Sequence, residues 1–105
     1  MVLIHIVTNT EDQAIEITDL LIERKLILNA LLIEKANMRK RLKDGTFETH
    51  PQTLVIGKTK GLLFNDIDLL LREKYGKEMP TLYSIAIVNM DWDQADELMT
   101  ETLKI

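Results

Sequence analysis

Apolar residues open the chain as an unbroken, β-branched run, Val2–Val7 (VLIHIV), which stops at the turn-forming trio Thr8-Asn9-Thr10. Such a run bounded by cap residues predicts a buried strand. The next residues, Thr10-Glu11-Asp12-Gln13, have capping-box spacing, a hydroxyl followed three positions later by Gln. From there Ala14, Ile17 and Leu21 recur at i, i+3 and i+7, with Ile15 and Ile22 beside them. This predicts an amphipathic helix that ends near Arg24-Lys25.

Leu26–Ile33 (LILNALLI) is apolar on both alternating faces and reads as a second strand covered on both sides. Glu34–Lys43 is polar and basic, and Asp44-Gly45 is a strong hairpin signal. Thr46-Phe47-Glu48 begins the return strand. His50-Pro51 is expected to interrupt it, because proline lacks the ladder donor, and Thr53–Thr59 resumes it. A second helix is predicted over Leu62–Lys74, ended by Tyr75-Gly76. Leu82–Met90 reads as a fourth strand, and Asp91 with Gln94 caps a short acidic helix, Asp91–Leu103. The order βαββαβ plus a terminal helix, within one domain spanning residues 1–105, predicts an α+β, ferredoxin-like sandwich with a long β2–β3 hairpin.

Composition sharpens that picture. Leu, Ile and Val number 17, 12 and 4 among 105 residues, whereas aromatics are only 5%. Domains of this size bury about two-thirds of their unfolded surface. So many aliphatics ask for cover from another subunit. A net charge of −4 and the lack of stacking aromatics on the middle strands argue against nucleic acid as a partner. The basic group Lys35, Arg39, Lys40, Arg41 and Lys43 reads as a solvated hairpin that protects a sheet edge. No stretch is long and apolar enough to span a bilayer. The absence of cysteine removes disulfides, thiolate metal sites and a thiol nucleophile, and fits a cytoplasmic location.

Candidate chemistry is sparse. His5 reads as a core histidine and His50 as a loop residue, since no HxH or HxxxH pair exists. Asp91, Asp93, Asp96, Glu97 and Glu101 form a solvated acidic face, with Trp92 as an anchor to its own subunit or a neighbour. No Ser/His/Asp set or close carboxylate pair suggests catalysis.

Over nearly its whole length the chain resembles a divergent member of the CutA (divalent-cation tolerance) family of the PII-like superfamily. The likeness rests on ordered phrases: Val7-Thr8-Asn9-Thr10-Glu11-Asp12-Gln13-Ala14 at the first helix, Glu23-Arg24-Lys25-Leu26-Ile27-Leu28-Asn29-Ala30 into the second strand, the hairpin glycine of Lys43-Asp44-Gly45, Lys58-Thr59 closing the third strand, and Pro80 before the fourth. The family's cysteine falls near Val7, its histidine near Tyr75 and its hairpin tryptophan near Leu42, so its metal-associated positions are not kept. The resemblance implies a non-enzymatic homotrimer linked to divalent metal tolerance, with a divalent cation as a possible ligand and no resident cofactor. An alternative implication is a PII-like sensor that takes a small anionic ligand or nucleotide in the cleft between subunits. Lys58, Tyr75 and Tyr83 are the candidate ligand-binding residues for it. An enzyme assembled from two chains is the third reading.

Overall fold

The computed structural model describes residues 1–105. Its elements are β1 (Val2–Thr8), α1 (Glu11–Glu23), β2 (Ala30–Arg41), β3 (Phe47–Thr59), α2 (Phe64–Tyr75), β4 (Thr81–Ala86) and α3 (Trp92–Glu101). The four strands form one antiparallel sheet in the order β2-β3-β1-β4. Two βαβ units are therefore interleaved, as a ferredoxin-like fold requires. Right-handed crossovers place both connecting helices on one side of the sheet.

That side holds the core. Ile4 and Ile6 of β1 and Val55 of β3 meet Ala14, Ile17 and Leu21 of α1 and Ile67 and Leu71 of α2, each at most 1% exposed. Each large aliphatic buried this way contributes about 1.5–3 kcal/mol. The start of α1 is capped as its sequence dictates. Thr10 Oγ1 accepts from the Gln13 N–H at 3.0 Å, and Gln13 Oε1 accepts from the Asn9 N–H at 2.8 Å. The Gln13 and Asn9 amides also donate to the Glu78 carbonyl, which ties this end of α1 to the turn after α2.

The second strand differs from its sequence expectation. Leu26 and Ile27 are not strand residues. Lys25 takes a left-handed conformation (φ 58°) just past α1, and the chain then drops Leu26 and Ile27 into the core as a plug. Thr59 Oγ1 donates to the Leu26 carbonyl at 2.6 Å and pins the plug against β3. Pairing with β3 starts only at Ala30 opposite Gly57, and the polar, basic stretch through Arg41 is the strand itself. A bulge sits at Glu34-Lys35, between the pairs Ile33–Leu54 and Ala36–Gln52, with Lys35 at φ 55°.

Proline does not break β3. Pro51 pairs with Asn37 in register, and the strand is continuous from Phe47 to Thr59. β1 stops pairing at Thr8–Thr53, so beyond that point β3 has a neighbour on one side only. A strand bonded on one side uses alternate N–H groups, and a proline at an unused position loses nothing. The hairpin turns at Asp44-Gly45 as its sequence predicts, with Gly45 at φ 90° and Asp44 Oδ1 accepting from the Thr46 N–H at 2.9 Å.

β4 is shorter than its apolar run. Its pairing with β1 runs from Val7–Thr81 to Val2–Ala86, and one further bond joins the Ile87 N–H to the Met1 carbonyl. α2 is preceded by a 3-10 turn over Gly61–Leu63. α3 is capped by Asp91, which accepts from the Gln94 N–H at 3.2 Å, and is anchored by fully buried Leu98. Buried Lys60 donates through Nζ to the Leu103 carbonyl at 2.8 Å and the Thr102 carbonyl at 3.4 Å, holding the end of α3 in place. No helix is long and apolar enough to cross a membrane.

Candidate functional site

With both connecting helices on one side, the other side of the sheet is left bare. Residues directly opposite in an antiparallel ladder share a face, so the register maps it. One row runs Leu31, Ile56, His5 and Tyr83 across β2, β3, β1 and β4. The next runs Ile33, Leu54, Val7 and Thr81, and a third holds Lys58, Leu3 and Ile85. None of these side chains is buried, and Leu31 is 66% exposed. The expected double cover of the second strand is thus not supplied within the chain. The bulge at Glu34-Lys35 extends this apolar surface outward. Ala36 and Met38, opposite Gln52 and His50, follow Leu31 and Ile33 on the same side and are half-buried.

At the centre of the bare face His5 Nδ1 lies 3.2 Å from Tyr83 Oη, with ring centroids 5.2 Å apart. His5 is therefore not a core histidine; it points away from the core side occupied by Ile4 and Ile6. Lys58 is half-buried on the same face, diagonal to His5, and forms no ion pair. His50 is a strand residue of the hairpin, paired with Glu48.

Of the three candidate ligand residues, Lys58 and Tyr83 share this face, whereas Tyr75 sits in the helical layer. There the half-buried Tyr75 hydroxyl donates to Glu16 Oε1 at 2.5 Å, and Lys74 Nζ lies 3.5 Å from the same oxygen. Burial, then the Glu16 carboxylate, pushes the Tyr75 phenol well above its ordinary range. The hydrogen bond from Tyr75, then the charge of Lys74, holds Glu16 below the usual carboxylate value.

One pairing is invisible in sequence. Glu11, in the first turn of α1, and Glu34, at the β2 bulge, line a shallow cleft of about 220 Å³ with Thr10, Lys35, Gln52 and Thr53. The hydrogen bond with Glu34, then its charge, raises the Glu11 carboxyl above its ordinary value. Gln52 Oε1, buried without a partner, belongs to a residue lining the same cleft. Only the tertiary fold, through α1 and the bulge, joins two acids this far apart in the chain. Elsewhere donors are scattered, and no three His, Asp or Glu side chains are grouped to hold a metal ion. Trp92 is 88% exposed, so it does not fasten α3 to its own subunit.

Solved structures with the same arrangement exist. CutA1 from Pyrococcus horikoshii matches with a TM-score of 0.87, covering 99% of this chain and 100% of that one at 20% identity. The chain has the CutA1 fold. CutA1 from Oryza sativa gives a TM-score of 0.88 at 13% identity, covering 99% of this chain and 94% of that one. A CutA from Archaeoglobus fulgidus, described as a periplasmic divalent cation tolerance protein, gives 0.85 at 19% identity over 96% and 98%. No protein-family model and no curated protein sequence matches the chain. The CutA1 fold is thus kept from end to end while the side chains diverge. Hydrophobic pattern and turn chemistry can preserve a backbone under that much substitution.

Proposed function

We propose that this chain is a divalent-cation-tolerance protein of the CutA1 type, acting as a homotrimer and catalysing no reaction. The observation that carries the reading is the agreement with CutA1 structures over the full length of both chains. The bare apolar face supports the assembly, because monomeric proteins rarely leave a contiguous apolar surface of this kind open. Exposed Leu31 and Ile33 on an edge strand ask for a neighbour for the same reason. The lack of cysteine supports a cytoplasmic location. No metal-binding step within a single subunit is part of this reading, since one chain groups no three metal donors.

Sedimentation velocity at micromolar concentration tests the assembly, with a trimer expected and a monomer overturning it. Leu31→Asp places a charge in the covered face and should give monomers that keep their helical circular dichroism. Growth in excess copper, zinc or cobalt, with and without the gene, tests the tolerance role. Equal sensitivity of the two strains would overturn it.

A second reading, a PII-like sensor of a small anionic ligand or nucleotide, is favoured by the unpaired ammonium of Lys58 on the face that carries Tyr83. Thermal shift with ATP, ADP and AMP separates the two, because a ligand bound only by the native state raises Tm by mass action. An unchanged Tm with every nucleotide removes the sensor, and Lys58→Met should abolish any shift that is found. Tyr75 would contribute only from a neighbouring subunit.

A further inference from the structure

The pair at the centre of the bare face gives the assembly a dependence on acidity. We infer that His5, oriented by Tyr83, is a proton-operated release for the trimer: the subunits associate with His5 neutral and come apart when it is protonated. The inference rests on the assembly proposed above and names its regulation.

The surroundings of the ring decide the sign. Its direct neighbours across the sheet are Ile56 on β3 and the Tyr83 phenol on β4, with Leu3 and Val7 on its own strand. The only charged group close by is the Lys58 ammonium, diagonal to it on β3, while α1 and α2 lie behind the sheet. No carboxylate shares this part of the face; the first one along β3 is Glu48, far out on the hairpin and paired with His50. β2 adds only Leu31 and Ile33 here. The face itself therefore offers aliphatics, a phenol and an ammonium group around the ring, and nothing to neutralise an imidazolium.

Before association the ring is open to water and can carry its proton. After association a charged ring would be desolvated beside a like charge, which disfavours the protonated form. The neutral ring loses little, since Tyr83 Oη already bonds Nδ1. Association in acid then requires each ring to release its proton. With one His5 per subunit, the trimerisation constant falls by up to about a thousandfold per pH unit where the free ring carries its proton, and the concentration for half-assembly rises about thirtyfold.

Sedimentation velocity of the full chain at constant ionic strength, from pH 8 to pH 5.5, tests this with four proteins: wild type, His5→Phe, His5→Gln and His50→Asn. The expected result is a trimer at pH 8 for all four, with acid dissociation of wild type and His50→Asn only. A wild-type trimer that resists pH 5.5 overturns the inference and leaves the assembly standing. So does a His5→Gln trimer that dissociates as wild type does, because another group then carries the dependence. Wild type that is monomeric at pH 8 overturns the assembly itself and this inference with it. If His5→Phe misfolds, His5→Gln keeps a polar, uncharged side chain and decides alone.

Discussion

Ile27 lies against Gly57 so closely that a Cβ on the glycine would come within 3.1 Å of Ile27 Cδ1 and 3.3 Å of its Cγ2. The missing side chain on β3 is the space into which the plug after α1 fits. Gly57→Ala should therefore destabilise the protein by about 1–3 kcal/mol through overpacking. Ile27→Val, which removes the Cδ1 methyl, should recover part of that loss in the double variant. Urea denaturation of the two single variants and the double forms a cycle, and simple additivity would contradict the contact.

The Tyr75–Glu16 bond predicts a response to acid. Glu16 is held below its ordinary carboxylate value, so its contribution is present above pH ~4.5 and is lost as pH falls through the lowered value. Tyr75→Phe removes the largest cause. The fall in Tm between pH 7 and pH 3 should become smaller than in wild type, and an NMR titration should place the Glu16 carboxyl higher.

Glu11 and Glu34 predict the opposite sign. The folded chain holds the Glu11 proton to a higher pH than the unfolded chain does. Stability from this pair is therefore gained as pH falls from neutral through the raised value, and that gain is complete below pH ~4.5. Glu34→Gln should raise Tm at pH 7 and leave it nearly unchanged at pH 4. An equal change at both pH values would show that repulsion between the two carboxylates is not the cause.

Lys60 predicts a local effect. Replacing it with Met keeps most of the buried stem and leaves the Leu103 and Thr102 carbonyls without their donor. A loss of about 1–3 kcal/mol is expected for unsatisfied buried acceptors. Amide exchange should quicken over Trp92–Glu101 while the amides of β1 and β3 keep their protection.

The fold was legible where one local signal had a single meaning. Thr10 and Gln13 marked the start of α1, Asp44-Gly45 the hairpin, Asp91 and Gln94 the cap of α3, and βαββαβ the sandwich. The second strand was misplaced because Leu26–Ile33 is apolar throughout. Such a run reads alike whether it is strand or plug, and the left-handed turn at Lys25 leaves no mark in its residue type. Pro51 misled for a related reason: its cost depends on how many neighbours β3 has at that point, which is a property of β1. The bare face was legible only as a surplus of aliphatics. Its membership follows from register, and register is set by pairing between strands far apart in sequence. Glu11 with Glu34, and His5 with Tyr83, lay beyond any local pattern.

The bulge in β2 carries a consequence of its own. Before it, the odd-numbered residues Leu31 and Ile33 lie with Leu54 and Ile56; after it, the even-numbered Ala36 and Met38 take that place. Were the bulge straightened with Lys35 kept, strict alternation would turn the outer hairpin over. Lys35, Asn37, Arg39 and Arg41 would then continue the greasy stripe, and Ala36 and Met38 would be sent to the reverse. One local departure from the ladder thus decides which side of the long arm is oil and which is charge.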